Sequence, residues 1–149
     1  VASLLLLAAV LACGSRPEHC WVCQREIHDS VRATLLLAVG KEVHACCPRC
    51  ALHFQEEAGA RIRRIVVTDY VSGSPLPMER AFFVQGSDET PCVRHHPIAD
   101  DQGAPMHVCF DRCMPSLIAF ARDPDARAFV TDHGGTLVSP GSLPRVETK

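Results

Sequence analysis

The cysteines of this chain follow a spacing that limits how it can fold. HACCPRC, at residues 44–50, and HVCFDRC, at residues 107–113, share the pattern His-x-Cys-x-x-Arg-Cys. Nine cysteines and eight histidines occur in 149 residues. Thiolates two or three residues apart can face one ion, because a tight turn or the first turn of a helix converges their side chains. The pattern therefore favours a fold that brings several such turns together.

The first candidate metal site combines two close pairs of thiols. Cys20 and Cys23 form a C-x-x-C, and Cys46 and Cys50 follow a predicted hairpin. Four sulfur ligands complete a tetrahedral site for a soft metal ion. Cys47 could replace Cys46 and give a second C-x-x-C, and the spacing does not choose between the two.

The second candidate site also consists of two close pairs. Cys92 and His95 precede Cys109 and Cys113, which gives three thiolates and one imidazole. His96 is an alternative to His95 as the nitrogen ligand. A competing interpretation is a local disulfide between Cys109 and Cys113, with Cys92 as a free thiol. Metal binding by these residues is the favoured hypothesis.

Several residues beside the candidate ligands have possible roles of their own. Met114 directly follows the last of these thiols, and a thioether beside a thiolate suits Cu(I), although most methionines pack in cores. His44 and His107 precede the second pair of each site by two residues, so on a strand each shares a face with it. Each could equally be a half-exposed strand histidine. Arg49 and Arg112 lie between ligands, where a cation would lower the pKa of neighbouring thiols.

The composition leaves the cysteines as the main source of functional information. The formal net charge is −2 and no long basic run is present, which predicts no nucleic-acid partner. With 47% hydrophobic residues, the chain can bury an ordinary core without disulfide bridges. A framework of disulfides is also disfavoured because Cys46 and Cys47 are adjacent, and a bridge between neighbours is strained.

The pattern of apolar residues and turns predicts an α+β fold made of two strand–strand–helix–strand units. The first unit, residues 20–71, has predicted strands over 31–39, 42–46 and 63–69, and a helix that begins at Pro48. The second unit, residues 78–139, has predicted strands over 80–85, 117–121 and 136–138, and a helix over 123–133. SGSPLP separates the units, and residues 140–149 are predicted to be a loose tail.

The first residues resemble an export signal. VASLLLLAAVLACGS is apolar, ends in small residues and is short for a bilayer span, so residues 1–12 are predicted to be a signal peptide. VLAC resembles a bacterial lipobox, which implies cleavage before Cys13, lipidation of that cysteine, and a linker over 13–19. An uncleaved apolar anchor is the alternative. Both interpretations place residues 14–149 outside the cytoplasm, in the periplasm or at the cell surface.

Most of the chain, and its C-terminal portion most specifically, resembles NosL, the lipoprotein accessory factor of nitrous oxide reductase. The resemblance lies in CMPSLIAFARDPDARAFVTDHGGTLVSP, in RAFFVQGS and in HCWVCQREI, with Cys13 at the lipidation position. It implies a Cu(I)-binding lipoprotein of two strand–strand–helix–strand units that delivers copper to a reductase. The family's functional residues fall on Cys20, Cys23 and Met114. The Gly-Met that follows the family's C-x-x-C is replaced here by Gln24-Arg25.

A second resemblance covers residues 20–54 only. GKEVHACCPRCALHF is similar to the end of YHS and TRASH metal-binding modules, which begin with a C-x-x-C. This resemblance implies that Cys46 and Cys50 are ligands and that Cys47 is a neighbour.

Three functions follow from these observations. The leading hypothesis is a lipid-anchored carrier of Cu(I) that binds soft metal ions, associates with the membrane and serves a recipient metalloenzyme. The second is a structural zinc module with two closed Cys/His sites. Catalysis is the third: a thiol oxidoreductase lacks the thioredoxin-like pattern, and an organomercurial lyase lacks a distinctive acid, so we expect a protein that is not an enzyme.

Overall fold

The first unit is a four-stranded antiparallel sheet with one helix. The computed structural model describes residues 18–58, 62–92, 102 and 112–143 of the chain. The strands pair in the order β2-β1-β3-β4, and their bounds are β1 Ala33–Leu37, β2 Glu42–Ala45, β3 Ile62–Thr68 and β4 Pro75–Pro77. Helix α1, Pro48–Ala58, lies between β2 and β3 in the chain. Alternate residues of β1, Ala33 and Leu35, are fully buried, as expected for a strand with one face on the core.

The second unit is a three-stranded antiparallel sheet, also with one helix. Its strands pair in the order β6-β5-β7, and their bounds are β5 Phe82–Gln85, β6 Leu117–Phe120 and β7 Thr136–Val138. Helix α2, Asp123–His133, follows β6 and has proline in its first turn. The predicted α+β class and the order strand, strand, helix, strand in both units are confirmed.

Strand β6 and the centre of β5 are buried on both faces of the second sheet. Val84, Ile118 and Phe120 pack with the α2 residues Ala126 and Phe129. The alternate residues of the same two strands, which point to the opposite face, pack into the core of the first unit: Phe83, Leu117 and Ala119. Strands β5 and β6 therefore join the two units through a shared core.

Backbone and side-chain hydrogen bonds reinforce this junction. The Tyr70 backbone N–H donates to the carbonyl of Ala119 at 2.9 Å, and the Ala121 backbone N–H donates to a carboxylate oxygen of Asp69 at 2.8 Å. These bonds tie the end of β3 to the end of β6.

Two segments differ from the sequence-based expectation. Residues 75–77, which the sequence placed in a boundary, form the edge strand β4, with Val67 opposite Leu76. Its two prolines cannot donate to a ladder and are tolerated because the strand lies at the edge of the sheet. Residues 140–143 do not form a loose tail, because Pro140–Ser142 is a 3-10 turn and Leu143 is buried against the core. Among the described residues, no helix has the length and apolar character to cross a membrane.

Candidate metal centre

The loop before β1 positions the first pair of thiols. His19 and Glu26 form an isolated β-bridge, and the Cys20 backbone N–H donates to the Arg25 carbonyl at 2.8 Å. Gln24 closes the turn in the left-handed region, with φ of 60°, and its backbone N–H donates to the Cys20 carbonyl at 3.0 Å. This tight turn directs Cys20 and Cys23 toward the same point, as the C-x-x-C spacing predicted.

The start of helix α1 supplies three more thiols. Cys46 and Cys47 follow β2, the helix begins at Pro48, and Cys50 lies in the first helical turn. All three cysteines are buried. The positive end of a helix dipole stabilises thiolates at this place. The sequence had left Cys46 and Cys47 as alternatives, and the structure places both in the same cluster.

The second unit contributes the remaining described cysteines. Cys92 lies in a turn after β5 and is 8% exposed, and Cys113 lies in a turn before β6 and is 1% exposed. The Sγ atom of Cys113 lies 3.6 Å from that of Cys46 and 3.7 Å from that of Cys50. The sequence predicted one separate cluster in each unit, but the cysteines of the two units lie together. They meet where the units share their core.

The seven sulfur atoms form two overlapping groups of four. The first group is Cys20, Cys23, Cys46 and Cys50, and the second is Cys46, Cys47, Cys92 and Cys113. Within each group the sulfur atoms all lie within 4.8 Å of one another. Cys46 belongs to both groups. We refer to these seven residues as the thiol cluster.

The distances in the thiol cluster fit metal coordination. The Cys46 Sγ lies 3.4 Å from that of Cys23, 3.7 Å from that of Cys50 and 3.9 Å from that of Cys47. A tetrahedral site with metal–sulfur bonds of about 2.3 Å has sulfur–sulfur edges of about 3.8 Å. A disulfide bond is far shorter, at about 2.0 Å. The donor set and its spacing match a soft metal ion.

Several other residues that the sequence singled out fall outside the described part of the chain. His95 and Cys109 lie outside the described residues, as do the alternative ligand His96 and the predicted lipidation site Cys13. Among the described residues, the second group includes Cys46 and Cys47 from the first unit. Sequence spacing favoured partners within one unit, and the described residues add two partners from a helix start that is distant in the chain.

Met114 is the chain neighbour of the thiol-cluster residue Cys113. It directly follows Cys113, and it is 42% exposed. Core packing, the alternative role for a methionine, therefore does not describe this residue. Its function as a Cu(I) ligand stays a prediction.

The charged residues near the thiol cluster differ from those expected. The Arg49 guanidinium donates to the Pro115 carbonyl and to the Gln85 side chain, and Arg112 pairs with Glu57. Arg25 is the arginine whose guanidinium donates to a thiol, that of Cys113, at 3.1 Å. Arg25 stands where the resemblance to NosL would place a methionine after the C-x-x-C. Its contact with Cys113 joins residues 88 positions apart in the chain, so local spacing could not predict it.

The strand histidine of the first motif has its ring in a polar network. The Nδ1 atom of His44 lies 3.1 Å from the Thr34 hydroxyl, and Nε2 lies 3.4 Å from a carboxylate oxygen of Glu18. Its backbone carbonyl accepts from the Trp21 backbone N–H at 3.1 Å, which fastens the C-x-x-C turn to β2. His44 therefore supports the turn. His107, its counterpart in the second motif, lies outside the described residues.

Hydrogen bonds between the thiols divide them into proton donors and acceptors. The pKa of Cys46 is raised, chiefly by its hydrogen bond with Cys113. The pKa of Cys113 is lowered by hydrogen bonds with Cys23 and Cys46. For Cys20, the bond with Cys23 raises the pKa, but bonds with Cys46 and Cys50 outweigh it and bring the pKa to about 6. The lowered pKa values of Cys20 and Cys113 favour the thiolate form of these two sulfurs, which is the form that binds metal.

Comparison with solved structures identifies the fold. The chain is similar to the crystal structure of the copper chaperone NosL from Shewanella denitrificans, with a TM-score of 0.61 and 17% identity over 87% of this chain and 92% of that chain. The chain has the NosL fold. The solution NMR structure of the apo-NosL protein from Achromobacter cycloclastes aligns with a TM-score of 0.44 and 20% identity over 78% and 93% of the two chains. Neither a protein-family model nor a curated protein matches the chain significantly.

Proposed function

We propose that this protein binds soft metal ions through the thiol cluster and carries Cu(I) as its cargo. The observation that carries the proposal is the pair of four-sulfur groups, in which every donor is a cysteine sulfur. Thiolates select soft ions, and Cu(I) is the softest of the common biological ones. The solved structure with the higher TM-score is described as that of a copper chaperone, which supports copper as the cargo.

A carrier has to release its ion as well as bind it. Cys23 is half-buried, whereas the other six thiols of the cluster are buried, so Cys23 gives the cluster one accessible edge. Met114 is exposed next to Cys113 and offers a neutral sulfur on the same route. These two side chains are the proposed path by which Cu(I) passes to a recipient metalloenzyme.

The proposed location is the outer side of a membrane, through a lipid on Cys13. The support is the VLAC sequence after an apolar run of small and aliphatic residues. Lipidation predicts that the protein sediments with membranes and that Cys13→Ser releases it to the soluble fraction. A parent protein that is soluble, or a variant that stays on the membrane, contradicts lipidation of Cys13.

The test of copper binding is competition under anaerobic conditions. The reduced chain is titrated with Cu(I) in the presence of a chromophoric chelator, and its metal content is measured after purification without oxygen. We expect the protein to take Cu(I) from the chelator. Replacing Cys20 and Cys23 together by serine should reduce the amount bound. Equal binding by the variant would show that the C-x-x-C is not part of the site.

Structural zinc is the second candidate, and burial favours it. Six of the seven described thiols are buried, and structural zinc sites are closed four-ligand sites of this kind. In that case the chain binds Zn(II), and a zinc chelator unfolds it, as seen by circular dichroism. Retention of the fold after zinc removal, together with strong Cu(I) binding, supports the carrier.

A further inference from the structure

Cys46 lies at the centre of the thiol cluster. Its side chain is fully buried, and its Sγ atom has four other sulfurs within 3.9 Å: those of Cys23, Cys47, Cys50 and Cys113. It is the one residue that the two four-sulfur groups have in common. A thiolate has enough lone pairs to bind two metal ions at once. Cys46 is placed to do so, because each of the other six sulfurs belongs to one group only.

We propose that the thiol cluster binds two metal ions and that the Cys46 thiolate bridges them. One ion is held by Cys46 with Cys20, Cys23 and Cys50, and the other by Cys46 with Cys47, Cys92 and Cys113. The ions are of the soft d10 class that thiolates select, such as Cu(I), Zn(II) or Cd(II). This inference rests on the proposed function, because it requires the cysteines to bind metal.

The geometry accommodates two ions with one shared sulfur. Two tetrahedra with metal–sulfur bonds of about 2.3 Å that meet at one vertex keep their metal ions about 3.8 Å apart. Seven separate thiolates would supply the seven positions of such a centre, and the described part of the chain has seven cysteines in the two groups. Each thiol that binds releases its proton to solvent, and no electron is transferred.

The surroundings offset the negative charge that the bridge concentrates. Seven thiolates carry more charge than two such ions neutralise. The guanidinium of Arg25 donates to Cys113, and the N-terminus of helix α1 lies at Cys46, Cys47 and Cys50. Both contributions are positive. The guanidinium lies beside Cys113, a ligand of the second ion, and the helix N-terminus lies beside the bridging Cys46.

The two ions connect the two units of the fold. The first ion's ligands all come from the first unit, whereas Cys92 and Cys113 of the second ion's set come from the second unit. Because Cys46 is shared, loss of its sulfur affects both ions. Loss of Cys20 or of Cys92 affects only one ion.

Cadmium NMR tests the bridge directly. The full chain, reduced and kept under anaerobic conditions, is loaded with cadmium-113 and separated from unbound metal. We expect two bound ions, two resonances at the chemical shifts of cadmium with four thiolates, and a splitting of each resonance by the other ion through the shared sulfur. The parent protein therefore decides the question even if a variant fails to fold.

Three alanine variants assign the ligands. Cys46→Ala should abolish the splitting. Cys20→Ala should move one resonance away from the four-thiolate range and leave the other in place, and Cys92→Ala should do the reverse. Two resonances without splitting in the parent, or a single bound ion, would overturn the bridge while leaving metal binding intact. Failure to retain any cadmium would overturn the bridge and the proposed function together.

Discussion

Met114 is the residue that tests whether a thioether takes part in the proposed binding of Cu(I). It is 42% exposed beside Cys113. We predict that Met114→Leu lowers Cu(I) affinity by about tenfold, equivalent to 1.4 kcal/mol, because one soft donor is lost. Zn(II) affinity should hardly change, since thiolates dominate its binding. The measurement is competition for each ion with a chromophoric chelator.

Met78 provides the matched control for this change. It is buried in the core, 8% exposed, and is not one of the seven thiol-cluster residues. Met78→Leu keeps volume and apolarity, so it should cost less than about 1.5 kcal/mol of stability and leave Cu(I) affinity unchanged. If both variants bind Cu(I) as the parent does, Met114 is not a ligand and the route for exchange has to involve Cys23.

Local spacing predicted the residues of the first group and placed Cys92 with Cys113, but it did not indicate that Cys46 and Cys47 lie beside that second pair. Cys20 with Cys23, and Cys46 with Cys50, converge because each pair lies in one turn or one helical turn, and these geometries follow from two or three residues of separation. Cys113 meets Cys46 only because the two units share a core. Contacts of this kind depend on tertiary packing, which no local pattern encodes.

Gly135 shows how one element determines the packing of its neighbours. It follows α2 with φ of +89°, and a Cβ atom there would lie 2.8 Å from the Gln85 carbonyl oxygen and 2.9 Å from a methyl carbon of Val84. We predict that Gly135→Ala destabilises the chain by about 3 kcal/mol, from backbone strain together with overpacking against β5. Urea unfolding followed by circular dichroism measures the change.

The adjacent glycine separates the two causes. Gly134 also has a positive φ, +66°, but nothing lies within 4 Å of an added Cβ. Gly134→Ala should therefore cost only the backbone strain of a side chain at φ of 66° and ψ of −159°, a region essentially restricted to glycine, about 1 to 3 kcal/mol. Equal losses for the two variants would mean that the contact with β5 relaxes without cost.

The elements themselves could largely be predicted from the sequence. The β-branched run in β3 and the proline in the first turn of α2 are local signals, and both elements form where expected. Strand β4 was missed because PLP has weak strand propensity and pairs only through the tertiary position of β3. The burial of Leu143 was missed for a similar reason, since a single leucine in a polar tail has no periodicity.

Asp69 links the two units of the whole molecule through its carboxylate. It is 4% exposed and accepts hydrogen bonds from the backbone N–H groups of Ser72 and Ala121 at 2.9 and 2.8 Å. Burial by itself raises the pKa of this carboxyl, but hydrogen bonds from Ser72 and Ala121 outweigh it, so the pKa lies below its usual value. The ionised form therefore stabilises the fold.

The sign of this effect gives a pH-dependent prediction. The pKa of Asp69 is lower in the folded chain than in the unfolded chain. Its ionised carboxylate therefore contributes its full stabilisation above the unfolded pKa of about 3.9, and this stabilisation is lost as the pH falls through the folded pKa. Asp69→Asn should lower the free energy of unfolding by about 2 kcal/mol near neutral pH, and the gap to the parent should narrow in acid. Urea titrations of the reduced, metal-free chain across this range measure it.

An exposed carboxylate serves as the control for Asp69. The side chain of Asp29 is 95% exposed, and its partner Arg32 lies 3.6 Å away. Asp29→Asn should change stability by less than about 0.5 kcal/mol. A gap for Asp69→Asn that stays constant in acid would show that its charge does not contribute.

Metal binding should stabilise the molecule as a whole, because the thiol cluster draws ligands from both units. An ion that binds only the folded chain adds about 4 kcal/mol when its free concentration is a thousandfold above its dissociation constant. We predict that Zn(II) raises the thermal midpoint of the reduced chain and that a chelator reverses the rise. Circular dichroism and the fluorescence of Trp21, which packs edge-on against Phe54, report the transition.

The double variant Cys92→Ser with Cys113→Ser tests whether the second unit takes part in this stabilisation. Serine in a buried site lowers stability with or without metal, so the quantity to compare is the shift that Zn(II) causes within each protein. The variant keeps the four sulfurs of Cys20, Cys23, Cys46 and Cys50, and it should retain a smaller shift than the parent. A shift equal to that of the parent would mean that Zn(II) is held by the first unit without help from the second, whereas complete loss would mean that the first four thiols do not form a site of their own.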